Sequence, residues 1–322
     1  MRNDLTADLR RAAAAIGEAE TLVTLGHIGP DGDALGTALG IALAARRVGK
    51  KAYASFGEPF VVPSQFRFLD QVPLCNPGSL PDEIDVVVAC DTADLSRLGS
   101  AAEVLERAKT VVVLDHHRSN DGFGDITVID PDAAATAQLA YYLLLELGWP
   151  VDPSAATALH TGLVTDTGRF QYSGTTPEVL RVAAALVEAG ATPEQVGRHV
   201  YEEAPFGYLK LAGAVLARTE LDLERRLVWS VVLQSDLEAA GIGYEEADGL
   251  IDLIRVAEEA EVACLFKEVG KDTTKGSLRS RGEVDVGSIA SNLGGGGHHN
   301  AAGFTVRKPF GVAVEMLRDQ LS

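Results

Sequence analysis

The 322-residue sequence predicts an α/β fold: a mainly parallel sheet with helices on both faces, followed by a smaller C-terminal α/β domain. Three observations carry this expectation. Residues 84–90 (IDVVVAC) and 110–114 (TVVVL) are continuous, Val-rich apolar runs, the pattern of strands buried on both faces. Strand-like runs alternate with helical periodicity through the first half of the chain, the order a parallel sheet needs. A second alternation begins near residue 207, and 46% hydrophobic content over 322 residues supports two cores.

Taken in order, residues 21–26 (TLVTLG) read as a short buried strand. Over 34–48, Leu35, Leu39, Ala42 and Leu43 mark one helical face, with Arg46, Arg47 and Gly49 as stop signals. Residues 51–56 read as another strand, followed by the 84–90 and 110–114 runs. Helices are expected over 134–147, 153–165 and 177–189, and a helical connector with Pro193 and Pro205 follows. The second half is expected to hold a helix over 209–221 and strands over 227–233, 262–269 and 276–280. A helix opening within 287–293, a strand over 304–306 and a final helix complete it. The expected division is 1–189, a connector over 190–206, and 207–322.

The net charge of −18 argues against nonspecific coating of duplex DNA. It leaves room for a small phosphorylated ligand held by metals and local Arg or Lys. Cys75, Cys90 and Cys264 lack paired zinc spacing and are expected to be buried thiols. The opening MRNDLTADLRR has no apolar signal core, and no stretch is apolar enough to span a membrane. A soluble cytoplasmic protein with no membrane partner is the expectation.

The chemistry gathers at the ends of the apolar runs. His27, Asp31 and Asp33 lie in GHIGPDGDALG, Asp91 follows IDVVVAC, and Asp115, His116 and His117 follow TVVVL. Asp166 ends an apolar helical segment in LVTDTGRF. Ligands of open parallel sheets bind beyond the carboxyl ends of the strands. Singly, each residue has an ordinary explanation: Asp33 as the cap of the next helix, Asp91 in a turn, the histidines in packing. Together, at one sheet edge, they exceed the ligands of one ion and point to two divalent metals. A carboxylate bridging two ions about 3.5–4 Å apart would let them clamp a phosphoryl group. Mixed His and Asp donors favour manganese, although zinc or cobalt could bind.

These motifs resemble the DHH phosphoesterase family. HIGPDGD is similar to its first motif, Asp91 to the second, Asp115-His116-His117 to the third and Asp166 to the fourth. The stretch GGGGHHNAAG, residues 294–303, resembles the signature of the DHH-associated C-terminal domain. The resemblance runs from about residue 20 to 310 and is nearest to the stand-alone nanoRNase and pAp-phosphatase group. It implies hydrolysis of very short oligonucleotides, of linear dinucleotides such as pApA, and of 3′-phosphoadenosine 5′-phosphate (pAp), with cyclic dinucleotides as further candidates. It also implies one metal on His27, Asp31 and Asp91, and a second on Asp33, Asp91, His116 and Asp166, with Asp91 bridging. Asp115 would support the histidine pair and His117 would face the substrate phosphate. Homodimers are common among such proteins, and a homodimer is expected here.

The substrate half is read from two features. Gly294–Gly297 can adopt conformations closed to other residues, and their N–H groups could form an anion-binding nest at a helix start, with Gly295, Gly296, Gly297 and the following His298 as substrate contacts. The period of a strand puts Lys275, Ser277, Arg279 and Arg281 of KGSLRSRG on one face, a positive patch in an acidic chain. With these residues binding the nucleotide, the active site is expected in the cleft between the domains. A RecJ-like single-strand exonuclease, a manganese pyrophosphatase and a non-catalytic nucleotide sensor are the alternatives. Length and an acidic surface without interleaved aromatic and basic residues weigh against the first. The glycine loop weighs against the second, and the complete ligand set against the third.

Overall fold

In the computed structural model, which describes residues 3–321, the chain divides into two units, Met1–Glu203 and Ala204–Ser322. The first unit opens with α1 (Asn3–Glu18), β1 (Thr21–Gly26), α2 (Gly32–Arg47) and β2 (Lys51–Phe56). It continues with β3 (Ile84–Cys90), β4 (Ala108–Asp115), β5 (Ile126–Ile129), α3 (Thr136–Leu147), α4 (Pro153–Asp166), α5 (Pro177–Glu188) and α6 (Pro193–Gly197). Its five strands form a parallel sheet in the order β2-β1-β3-β4-β5. The central strands β1 and β3 are buried almost throughout, as their continuous apolar runs require. At their amino ends, Asp85 accepts hydrogen bonds from the Glu20 and Thr21 amides (both 2.9 Å) and from Lys109 Nζ (2.7 Å). One carboxylate thereby ties the entries of β1, β3 and β4 together.

Helix α2 departs from the expected single apolar face, because Gly32 to Ala45 are all buried. Gly32, Gly36 and Gly40 form a stripe at four-residue spacing that lies directly on α4. A Cβ at Gly36 would sit 2.3 Å from the Ala158 carbonyl oxygen, and one at Gly32 would sit 2.4 Å from Thr165 Oγ1. Gly162 of α4 answers from the other side: its Cβ would lie 2.7 Å from Asp33 Oδ1. Backbone-to-backbone approach of the two helices is what brings the end of α4, Asp166, to the sheet's carboxyl edge.

Among the helices and strands named above, α1 and β5 were absent from the sequence expectation. α1 carries its signal plainly in buried Leu5, Leu9, Ala12 and Ile16. β5 is four residues long and at the sheet edge, too short for its pattern to stand out. Residues 190–206 contain α6, a π-helical turn over Arg198–Glu202, and the entry to the next helix.

The second unit comprises α7 (Phe206–Ala217), β6 (Glu220–Asp222), β7 (Leu227–Val232), α8 (Gln234–Ala240), α9 (Ile251–Ile254), β8 (Val262–Glu268) and β9 (Thr274–Ser280). α10 (Val286–Asn292), β10 (Gly296–His298), β11 (Ala301–Val306) and α11 (Phe310–Gln320) complete it. Its mixed sheet has the order β10-β11-β9-β8-β7-β6, with only β7 and β8 parallel. The helix expected to reach residue 221 stops at Ala217. Residues 220–222 instead pair antiparallel with β7, and Asp236 holds the Arg218 guanidinium at the turn. Pairing to a strand several residues downstream outweighs local helical periodicity. No helix among the described residues is long and apolar enough to cross a membrane.

Gly36→Ala tests the helix contact. Helix propensity alone would favour alanine by about 1 kcal/mol, but overpacking against a backbone carbonyl costs about 1–3 kcal/mol. Urea unfolding should therefore show net destabilisation, accompanied by weaker divalent-metal binding. Asp85→Ala should cost about 1–2 kcal/mol at pH 7. The Lys109 hydrogen bond, with the Thr21 amide, lowers the Asp85 pKa to about 2. The ionic part of its contribution is thus complete above about pH 4 and lost as pH falls towards 2. Urea melts at pH 7, 5 and 3 should show the gap between the two proteins narrowing with acidity.

Candidate metal centre

β1 delivers His27, β3 delivers Asp91 and β4 delivers Asp115, His116 and His117 to the same carboxyl edge of the parallel sheet. The imidazoles of His27 and His116 are oriented alike. His27 Nδ1 lies 3.0 Å from the Ile28 carbonyl oxygen, and His116 Nδ1 lies 3.2 Å from that of Ala133. A proton on Nδ1 of each ring turns Nε2 to the carboxylates as a ligand nitrogen. His27 Nε2 faces Asp31 Oδ2 (3.6 Å) and Asp91 Oδ2 (3.7 Å). His116 Nε2 faces Asp166 Oδ2 (3.1 Å), Asp91 Oδ1 (3.5 Å) and Asp33 Oδ2 (3.9 Å).

The cap of α2 is Asp31, not Asp33 as the loop sequence allowed. Asp31 Oδ1 accepts from the Asp33 and Ala34 amides at 3.1 and 3.0 Å, while Oδ2 is turned to His27. Asp33 is thereby released into the interior, where it performs a capping task across the fold. The N-cap of α3 is Ala135, which has no side-chain acceptor. Asp33 supplies one from over a hundred residues away, accepting from the Thr136 amide (2.5 Å) and the Ala137 amide (2.8 Å). The positive end of α3 so favours the carboxylate form of a fully buried aspartate.

Asp91 joins the two sides. Its φ of 55° is left-handed, a conformation that strains a non-glycine residue. Its amide donates to the Leu114 carbonyl (3.0 Å), and Thr136 Oγ1 donates to Oδ1 (2.9 Å). Held this way, Oδ2 faces His27 and Oδ1 faces His116 and His117. Asp115 has a different task. Its Oδ1 accepts from the His116 amide (2.8 Å), the His117 amide (3.2 Å) and His117 Nδ1 (2.7 Å), and its Oδ2 accepts from Asn120 Nδ2 (2.6 Å). A carboxylate so occupied orients His117 rather than binding an ion. Burial is the largest single influence and opposes its charge, but the hydrogen bond and charge of His117, the Asn120 hydrogen bond and the His116 charge together outweigh burial and keep its pKa low. Thr136 and Asn120 escaped the sequence reading because a lone Thr at a helix start and a lone Asn in a loop carry no signal.

The concentrated negative charge appears in the titration of the cluster. Burial, then the Asp166 charge, pushes the Asp33 pKa up to about 7. Burial, then Asp33 and Asp31, pushes Asp91 well above the carboxylate range. Burial would lower His116, but Asp166, Asp91 and Asp33 raise it well above the ordinary imidazole value. Three sets of donor atoms each lie within 4.8 Å of one another: His27, Asp31 and Asp91; Asp33, His116 and Asp166; and Asp91, His116 and His117. The donors fit divalent cations, which would replace protons as the neutralising charge.

In the second unit, Lys275, Ser277 and Arg279 share the half-exposed face of β9, and the register puts Arg279 opposite Ala301 and Ser277 opposite Gly303. Arg281 lies beyond the strand, where its guanidinium donates to the Ala257 carbonyl (2.9 Å). The glycine run is not at a helix start. It follows the end of α10, where the Gly294 and Gly295 amides bond to the carbonyls of Ser291 (3.0 Å) and Ala290 (2.8 Å). Two of the four amides of the supposed nest are thus spent on closing a helix. Gly295 is required by packing, since its Cβ would sit 2.0 Å from the Gly303 carbonyl oxygen. Gly296 and Gly297 enter the β10–β11 hairpin with His298, whose side chain lies outside the described residues.

The DHH family N-terminal domain matches residues 21–163, and the DHHA1 domain matches residues 230–321. A Thermus thermophilus protein described as bifunctional oligoribonuclease and PAP phosphatase NrnA is 35% identical over 92% of this chain and 89% of its own. The chain belongs to the DHH phosphoesterase family. The Bacillus subtilis protein of the same description is 27% identical over 89% of this chain and 90% of its own. A solved DHH-fold relative, an exopolyphosphatase-related protein from Bacteroides fragilis, has a TM-score of 0.91 at 22% identity, covering 98% of this chain and 96% of its own.

Asp91→Asn keeps the size of the side chain but removes the charge common to two of the three sets. Calorimetric titration with manganese should show reduced stoichiometry in this DHH protein, with an unchanged circular dichroism spectrum. Metal binding should also release protons, because Asp33 is still protonated below about pH 7 in the free protein. Affinity should therefore rise from pH 6 to pH 8, and the binding heat should vary with the ionisation enthalpy of the buffer.

Proposed function

We propose that this DHH enzyme is a two-metal phosphoesterase that hydrolyses short oligonucleotides to mononucleotides and converts pAp to AMP and phosphate. The observation that carries the reading is a cluster of three donor sets linked through Asp91 and His116, in a chain 35% identical over nearly its full length to a relative described with both activities. One ion would rest on His27, Asp31 and Asp91, and the other on Asp33, Asp91, His116 and Asp166. Their mixed nitrogen and oxygen donors favour manganese. Such ions supply positive charge that lowers the pKa of water and stabilises phosphoryl oxygens.

The chain's own residues do the rest. Asp115 accepts from His117 Nδ1 and so presents the Nε2 side of that ring to a substrate phosphate, where it can hydrogen-bond to an oxygen or hold a proton. Thr136 and the α3 amides keep Asp91 and Asp33 in place as charge builds. Arg279, Ser277, Gly296, Gly297 and His298 are proposed to bind the nucleotide, with Arg279 as the phosphate partner.

A manganese-supplemented hydrolysis panel at equal concentrations tests the reading: pAp, pApA, short RNA, cyclic di-AMP, single-stranded DNA and pyrophosphate. Turnover of pApA and pAp is expected, and pyrophosphate as the sole good substrate would overturn the proposal. His117→Ala should reduce kcat by about 10²–10⁴ while leaving manganese stoichiometry nearly unchanged.

A further inference from the structure

Arg279 and the glycine hairpin belong to strands of the second unit that are not neighbours. In register, His298 of β10 lies opposite Ala301 of β11, and Ala301 lies opposite Arg279 of β9. Strand spacing separates the His298 and Arg279 backbones by about 10 Å across that row. β10 is the outermost strand of the sheet and is three residues long. Little in β10 itself fixes its place. A Cβ at Gly296 would meet nothing within 4 Å, and Gly297 has a φ of 145°. Glycines in a strand bring no side-chain packing and lose the most freedom on ordering. The two-residue turn is His299-Asn300, not the Asn-Gly or Gly-first pair that favours such hairpins locally.

The tip of the hairpin is tied down from outside. The Ser280 amide donates to the Asn300 carbonyl (3.0 Å), and the Ser280 hydroxyl donates to Asn300 Oδ1 (3.1 Å). The His299 carbonyl accepts from the Val286 amide (2.9 Å), and His299 Nε2 lies 3.1 Å from the Gly282 carbonyl oxygen. Ser280 directly follows Arg279 and ends β9. Burial alternates along that strand: Leu278 and Ser280 are buried, while Ser277 and Arg279 are half-exposed. Ser280 therefore turns to the face opposite Arg279. Packing alone does not call for a hydroxyl there, because alanine would leave no buried polar atom to satisfy.

We propose that Ser280 and Asn300 are positioning residues: their side-chain hydrogen bond fixes the glycine hairpin relative to Arg279 and so sets nucleotide affinity. The inference rests on the phosphoesterase reading, in which Arg279 and the hairpin hold the nucleotide. A weakly ordered edge strand must be immobilised each time a nucleotide binds, and that ordering cost subtracts from affinity. The Ser280 bond meets part of the cost in the free protein. The metal donors all belong to the first unit, so the chemical step does not depend on this bond. Its loss should therefore raise KM and leave kcat in place.

Initial rates of pApA hydrolysis with manganese, on the full-length chain, test the pair by a double-mutant cycle of Ser280→Ala and Asn300→Ala. Each single variant should raise KM about 3–10-fold, the worth of one neutral hydrogen bond, with kcat nearly unchanged. The double variant should be no worse than the weaker single, because both substitutions remove the same bond. Amide hydrogen exchange supplies a readout independent of turnover: residues 296–301 should exchange faster in Ser280→Ala, while β7 and β8 are unaffected. A wild-type KM in Ser280→Ala, a loss confined to kcat, effects that multiply in the double variant, or unchanged exchange in the hairpin would each overturn the inference alone. Absence of pApA and pAp turnover by the wild type would overturn the phosphoesterase reading and this inference with it.

Discussion

Mutual repulsion among Asp31, Asp33, Asp91 and Asp166 is the constraint around which the first unit is arranged. Asp33 and Asp91 are almost wholly buried, and no lysine or arginine pairs with either of them among the described residues. Ionised carboxylates in such surroundings are unfavourable without compensation. The fold supplies partial compensation through backbone amides, the hydroxyls of Thr37 and Thr136, and the imidazoles of His27, His116 and His117, and leaves the balance to protons or divalent cations. Raised pKa values at Asp33, Asp91 and His116 express the same imbalance. A scaffold selected for stability alone would not gather these groups.

Close helix packing makes the gathering possible. The glycine stripe of α2 meets α4 so tightly that a single methyl group would meet a carbonyl oxygen. α2 consequently lies buried on all sides, and its first turn and the last turn of α4 converge on the same edge of the sheet. α3 joins them because its opening amides find their acceptor in Asp33 rather than in a local cap. Three helices and three strands therefore meet at one point, through contacts that are far apart in sequence.

The second unit shows how one motif can serve two ends. Its glycine run closes α10, admits the close approach of β11 and opens a hairpin beside the Arg279 strand. Steric demands explain Gly295 fully, whereas Gly296 has open space around it, so packing does not account for every glycine. The polar face of β9 followed from strand periodicity. Arg281, one step past the strand end, instead holds a neighbouring loop by its carbonyls.

The sequence alone determined the parallel sheet, since continuous Val-rich runs have no other stable place. It also determined the inventory of donors at the strand ends, because His and Asp types are written directly in the chain. It gave no notice of β5, of the end of α7 at Ala217, or of Thr136 and Asn120. Those features rest on partners supplied by remote segments: a neighbouring strand for β5 and residues 220–222, and buried carboxylates for Thr136 and Asn120. Only tertiary structure decided which aspartate caps α2 and which enters the interior. Only the left-handed backbone of Asp91 decided that its two oxygens face opposite sides. Spacing along a chain names the groups that can meet, but packing fixes the direction in which each lone pair points.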